Sequence, residues 1–181
     1  MRLMATTALM SFAEFEGLDW GPDELELLEG ELIRMPPPQY PHMNTCEWLY
    51  DLLKPAVEQL RQTFPDRKFG RVHMEMGYYF PGDPGTWLRP DASLTHPDQP
   101  VERYSIGAPL IAFEIVSGND TAADLDHKVA AYLAHGAAEV WLIYPRRRHA
   151  LVFDGSGVRN ETRAIQTSLL PGVEIPLDRI F

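Results

Sequence analysis

A charged residue sits inside the most apolar stretch of the chain. Residues 110–116 read Leu-Ile-Ala-Phe-Glu-Ile-Val, a short continuous apolar run of the kind that forms a strand buried on both faces, and its fifth residue is Glu114. Removing an ionised carboxylate from water costs several kcal/mol unless a cation, a metal or a set of hydrogen bonds compensates it. The fold must therefore bring a partner to Glu114. Two candidates are near in sequence: Asp91, which follows Pro90 and opens the apolar Ala92-Ser93-Leu94, and Lys128, in the helical stretch that comes after Glu114. Two carboxylates and an amine meeting at strand ends make a donor set for a divalent metal of the kind that serves phosphodiester hydrolysis.

Length and charge bound what such a site can serve. The 181 residues suffice for one well-cored domain and are short for two, so a single domain over 1–181 is expected. With 45% apolar and 23% charged residues, the composition excludes a disordered or fibrous chain. The formal net charge of −10 works against nucleic-acid binding, which draws most of its affinity from Lys and Arg neutralising phosphates. One cysteine, Cys46, excludes an internal disulfide and points to a reducing, cytoplasmic location. No apolar run approaches the roughly 18 residues of a membrane-spanning helix. The opening Arg2–Met10 imitates a signal peptide only faintly, and Ser11-Phe12-Ala13-Glu14 has the spacing of a capping box that starts a short helix.

Along the chain, Leu25–Leu28 and Leu32–Met35 flank Glu29-Gly30-Glu31 as a hairpin, closed off by Pro36-Pro37-Pro38. Met43, Cys46, Leu49, Leu52, Leu53, Val57 and Leu60 recur at helical spacing, with Pro55 predicting a kink or a split. Val72 to Phe80 alternates in the manner of one half-buried strand. The loop Pro81–Gly85 leads on to the strand that carries Asp91. A helix over 120–135 is expected, capped by Asn119 or Asp120 and stopped by Gly136. Glu139–Tyr144 and Ala150–Phe153 form a second hairpin turned by Pro145–Arg148.

The ordered set of Glu26–Leu32, His42, Pro90-Asp91, Phe113–Ser117, Asp124 with Lys128, Tyr132 and Gly136–Leu142 resembles the Uma-two family of restriction endonucleases, within the superfamily marked by a Pro-Asp step followed on the next strand by Glu or Asp, any residue, and Lys. That resemblance implies a restriction-endonuclease-like α/β fold, with a mixed central sheet flanked by helices, an N-terminal hairpin and small additional strands at the C-terminus. It implies Mg²⁺ or Mn²⁺ between Asp91 and Glu114 with help from the carbonyl of Ile115, DNA as the substrate, and a homodimer. Val116 occupies the usual lysine position, and the resemblance transfers that role to Lys128. Tyr144 departs from the aspartate common before the following proline.

Each residue also has a plainer reading. Asp91 and Glu114 would then be neutralised by an arginine or by backbone amides, and Lys128 would form a surface pair with Asp124 one turn away. Tyr132 continues the Asp124–Lys128 face. His42 shares a helical face with Cys46, so it is either a satisfied histidine near the core or an auxiliary group of the site; a Cys46–His42 nucleophilic dyad is disfavoured by the thiol's apolar surroundings. Glu26 and Glu31 are assigned to solvent, with Glu31 held as a third carboxylate in reserve. Arg146–Arg148 reads as a solvated turn, with a phosphate contact as the sharper alternative. The histidines show no zinc spacing. Trp48 or Trp87, if exposed, would suit a dimer interface. The residues thus support a metal-dependent phosphodiester hydrolase acting on DNA. The rivals are an inactive scaffold of the same fold and a phosphodiesterase for a non-duplex substrate.

Overall fold

A computed structural model describes residues 9–20 and 24–181; residues 2–8 of the leader-like opening lie outside the described ones. Ser11 caps the short helix α1 (Phe12–Glu16), and the capping box is complete: Ser11 Oγ accepts the Glu14 N–H while the Glu14 carboxylate accepts the Ser11 N–H. Strands β1 (Glu24–Leu28) and β2 (Glu31–Met35) make the first hairpin. Its two turn residues, Glu29 and Gly30, have φ of 49° and 83°, the left-handed pair that matches the twist of a two-residue hairpin.

Helix α2 (Tyr40–Thr63) runs through Pro55 without splitting. Pro55 and Asp51, whose carbonyl lies opposite the missing N–H, are both on the solvent side, where water takes up the orphaned carbonyl. The stretch after it is two strands rather than one. Strand β3 (Val72–Met74) and strand β4 (Tyr78–Phe80) belong to different sheets. The chain turns between them because Glu75 adopts φ of 47° and because Gly77 lies against the Trp87 ring, where a Cβ would come within 2.5 Å. Strand β5 (Thr86–Leu88), which the sequence reading does not separate from the approach to Asp91, follows the loop, and β6 (Ala92–Leu94) comes next.

Strand β7 (Ser105–Ile106) precedes β8 (Ile111–Ile115), which is buried throughout as its apolar run demands. Helix α3 (Ala122–Ala134) is capped by Thr121, whose side chain accepts the Asp124 N–H. Asp120, one of the two residues expected to cap it, instead accepts the Ser117 N–H at 2.6 Å. Then come β9 (Glu139–Tyr144), β10 (His149–Asp154), β11 (Gly157–Glu161), β12 (Ala164–Ile165) and β13 (Ile175–Pro176).

These strands form a six-stranded sheet in the order β11-β10-β9-β8-β6-β3, a five-stranded sheet in the order β2-β1-β5-β4-β7, and the small pair β12-β13. Only β8 with β9 and β4 with β7 are parallel, and α3 makes the crossover between β8 and β9. Period-two alternation sorts the central strands onto two faces. Ile111, Phe113, Ile115, Trp141 and Ile143 pack with Cys46, Leu49, Leu53 and Val57 of α2. Ala112, Val140 and Leu142 pack with Leu125, Val129 and Tyr132 of α3 and with Leu28, Tyr78, Phe80 and Leu88 of the second sheet. Among the aromatics offered to an interface, Trp87 is buried, in a cluster with Phe15, Leu25 and Leu27, while Trp48 is exposed. No helix among the described residues is long and apolar enough to cross a membrane.

Gly70 lies directly against another segment of the chain: a Cβ there would stand 1.7 Å from the backbone carbonyl oxygen of Thr95. A backbone obstacle cannot rotate away. Gly70→Ala is expected to lower unfolding free energy by about 3 kcal/mol, whereas Gly155→Ala, with nothing within 4 Å, should stay within about 0.5 kcal/mol; chemical denaturation of both variants measures the contrast.

Candidate active site

The pairing register brings Asp91 to Glu114. Strands β6 and β8 align Ala92 with Phe113, and one residue further along Asp91 reaches the end of β8, where its Oδ2 accepts the Ile115 N–H at 2.6 Å. Because Phe113 and Ile115 face α2, Glu114 faces α3. On that helix Leu125, Lys128, Val129 and Tyr132 are buried at spacings of three and four residues, so Lys128 lies on the packed face and not on the surface. Tyr132 donates its hydroxyl to Glu114 Oε1 at 2.7 Å. The Lys128 ammonium is 2.6 Å from Glu26 Oε2 and 3.7 Å from Glu114 Oε2.

Glu26 is the residue that sequence reading assigned wrongly to solvent. It is 1% exposed, and its other oxygen, Oε1, accepts the Arg89 N–H at 2.9 Å. The signal was present: Leu25-Glu26-Leu27-Leu28 is an apolar run broken by one glutamate, as in the stretch around Glu114. Glu31, held as the third carboxylate, is exposed on β2, away from the residues that line the site. Asp124 is likewise exposed; its carboxylate accepts the Thr121 hydroxyl at 2.6 Å and serves the helix cap. Arg146 extends beyond a solvated turn, since it also lines the cavity and packs near Gly118.

His42 enters from the first turn of α2. Its Nε2 is 3.1 Å from Asp91 Oδ1 and its Nδ1 is 3.6 Å from Cys46 Sγ. Burial opposes a charged imidazole, yet the hydrogen bond and charge of Asp91 outweigh it and raise the His42 pKa. The Cys46 thiol is held far above its ordinary pKa, first by burial and then by the charges of Asp91, Glu75 and Glu114. A protonated thiol is a poor nucleophile, so the geometry of a dyad is present without its chemistry.

Glu26, His42, Asp91, Glu114 and Lys128 line a cavity of about 120 Å³, walled further by Pro36–Pro38, Ser117–Asp120 and Arg146. Three carboxylates, Glu26, Asp91 and Glu114, face a single buried ammonium. The imbalance appears in Glu114, whose pKa is pushed up to about 8, first by burial and then by Asp91 and Glu26 against the opposing Lys128. Lys128 stays protonated: burial works against its charge, but Glu114 and Glu26 more than compensate. Asp91 keeps Oδ1 and Glu114 keeps Oε2 free of backbone donors, so the site offers hard oxygen ligands and a deficit of positive charge. A divalent cation fits both features.

Mixed sheets crossed by a helix, with the Pro-Asp step, the strand glutamate and a buried lysine at one end, define a restriction-endonuclease-like fold, that of nucleases. The chain belongs to the Uma2 family, described as "Putative restriction endonuclease", whose model matches residues 12–180. No curated protein matches it. Among solved structures it is similar to the crystal structure of a putative nuclease belonging to DUF820 from Anabaena variabilis ATCC 29413, with a TM-score of 0.79 and 21% sequence identity over 95% of this chain and 97% of that one. At that identity the likeness is one of fold.

Glu114 makes the metal-free protein sensitive to pH. Its folded pKa is raised from 4.5 to about 8, so the unfolded chain releases this proton first and stability falls as pH rises between those values. In chelator, wild-type Tm is expected to drop from pH 5 to pH 8 more steeply than that of Glu114→Gln, which has no proton to lose there; parallel slopes would assign the proton elsewhere.

Proposed function

We propose that this protein hydrolyses phosphodiester bonds in DNA with Mg²⁺ or Mn²⁺ held by Asp91, Glu114 and the carbonyl of Ile115. The observation that carries the reading is the convergence of Asp91, Glu114 and Lys128 in one cavity although they come from the residue before β6, from β8 and from α3. When bound, the cation would supply Lewis-acid polarisation of the scissile phosphate. The remaining roles belong to the chain. Lys128, fixed by Glu26, keeps a positive charge beside the attacking water and stabilises the negative charge that develops as its oxygen bonds to phosphorus. Tyr132 holds Glu114 in one orientation by its hydroxyl. Arg146 at the cavity wall is placed to contact a phosphate oxygen.

Two observations favour a second substrate class. The net charge of −10 repels a polyanion, and a cavity of about 120 Å³ behind three prolines accommodates a single phosphodiester better than a duplex. A single-stranded or small phosphodiester is therefore the alternative substrate.

Supercoiled plasmid, single-stranded DNA and a small chromogenic phosphodiester test both readings together. With Mg²⁺ or Mn²⁺, wild type is expected to cleave at least one of them. Glu114→Gln should lose the activity, and Arg146→Ala should weaken it by about ten- to hundredfold, the worth of one charge-assisted phosphate contact. Plasmid nicking selects the duplex reading; cleavage of the other substrates alone selects the second. Equal activity in wild type and Glu114→Gln would place the chemistry elsewhere, and inactivity toward all three would leave a nuclease fold working as a scaffold.

A further inference from the structure

Among the polar groups that line the cavity, His42 lies against the proposed ligand Asp91 and has no role in the reading above. It sits in the first turn of α2, one turn before Cys46, and both of its ring nitrogens are engaged. Asp91 has committed Oδ2 to the Ile115 N–H, and Nε2 of His42 is aimed at the remaining oxygen, Oδ1, at 3.1 Å. Two ligands bound at about 2.0–2.3 Å from a common ion stand at a separation of this order, and Glu114 lines the same cavity.

The position of the sulfur decides how the ring can be used. A neutral imidazole carries one N–H and one lone pair, and the sulfur lies by Nδ1 at 3.6 Å, the nitrogen turned away from Asp91. A thiol donates and accepts weakly, so it tolerates either tautomer. With S–H donating to Nδ1, the Nε2–H donates to Asp91 and the protein is satisfied without an ion. With Nδ1–H donating to sulfur, Nε2 turns a lone pair toward the same space as the lone pairs of Asp91 Oδ1, and two lone pairs at that distance require a cation between or beside them. The second arrangement is how ligating histidines are held: one nitrogen on the metal, the other fixed by an outer partner.

We propose that His42 binds the cation through Nε2, completing a nitrogen–oxygen–oxygen set with Asp91 and Glu114 that prefers Mn²⁺ or Co²⁺ over Mg²⁺, with Cys46 fixing the ring; this rests on the reading that Asp91 and Glu114 hold a cation. An all-oxygen site suits Mg²⁺, whereas imidazole shifts preference toward the transition series. His42 thereby narrows the ion that the two carboxylates alone would accept.

The test is metal binding by the chelator-treated full chain, measured by calorimetry with MgCl₂, MnCl₂ and CoCl₂ and by the visible spectrum of the Co²⁺ form. Wild type is expected to bind Co²⁺ and Mn²⁺ at least tenfold more tightly than Mg²⁺. His42→Gln retains an N–H that can reach Asp91 but has no imidazole. It should lose most of the preference, keep its Mg²⁺ affinity and show a shifted Co²⁺ spectrum, with circular dichroism confirming the fold. If His42→Gln keeps both preference and spectrum, His42 only orients Asp91 and the proposal is overturned. Equal wild-type affinity for all three ions, abolished by Asp91→Asn, would also overturn it while sparing the cation reading. Failure of wild type to bind any of the ions would remove both.

Discussion

A single ammonium ties the two sheets together. Lys128 projects from α3 and contacts Glu26 of the five-stranded sheet and Glu114 of the six-stranded one. Desolvating three charges is expensive, and the arrangement persists because each carboxylate has another donor: the Arg89 N–H for Glu26 and the Tyr132 hydroxyl for Glu114. Apolar side chains of similar volume would hold the sheets as well or better, so stability alone does not explain the cluster. What the polar version provides is a positive charge immobilised beside two carboxylates, at the end of β8 where Asp91 arrives.

Immobilisation is the useful property. A lysine on a surface helix samples many rotamers, whereas this one is confined by burial on the packed face of α3 and by carboxyl groups on two sides. The surrounding charges are unequal, with carboxylates in excess, and the raised pKa of Glu114 is the local measure of that excess. A metal-free site answers it with a proton; under the proposed function a cation would answer it instead, and the same imbalance that burdens the empty fold would provide affinity for the ion. The overall charge of −10 matters less at this range than the handful of groups lining the cavity.

How far the sequence revealed this depended on context length. Glu114 announced itself because six apolar neighbours surround it, and the Pro-Asp step and Lys128 followed from the order of elements. Glu26 carries the same signature in a shorter run beside a hairpin turn, where alternation suggests a solvent face; its burial is decided by the second sheet, which local pattern does not encode. The split of Val72–Phe80 had a similar cause, since the bend at Glu75 and the contact of Gly77 with Trp87 are tertiary. Thr121 capped α3 in place of Asn119 or Asp120 because Asp120 was already bound to Ser117. Asp124 shares a helical side with Lys128 in a wheel projection, yet four residues separate a capped, exposed first turn from a packed second one. Trp87 looked available until the aromatic cluster around Phe15 enclosed it.

The proline run between β2 and α2 has a consequence for traffic into the cavity. Pro36, Pro37 and Pro38 line the cavity and carry no N–H groups, so that stretch of the rim offers an incoming anion no backbone donor. A cationic donor is found elsewhere on the rim, at Arg146. A phosphate entering under the proposed function would thus meet exclusion on one side and attraction on the other, and the fixed φ of the prolines keeps that contrast constant in direction.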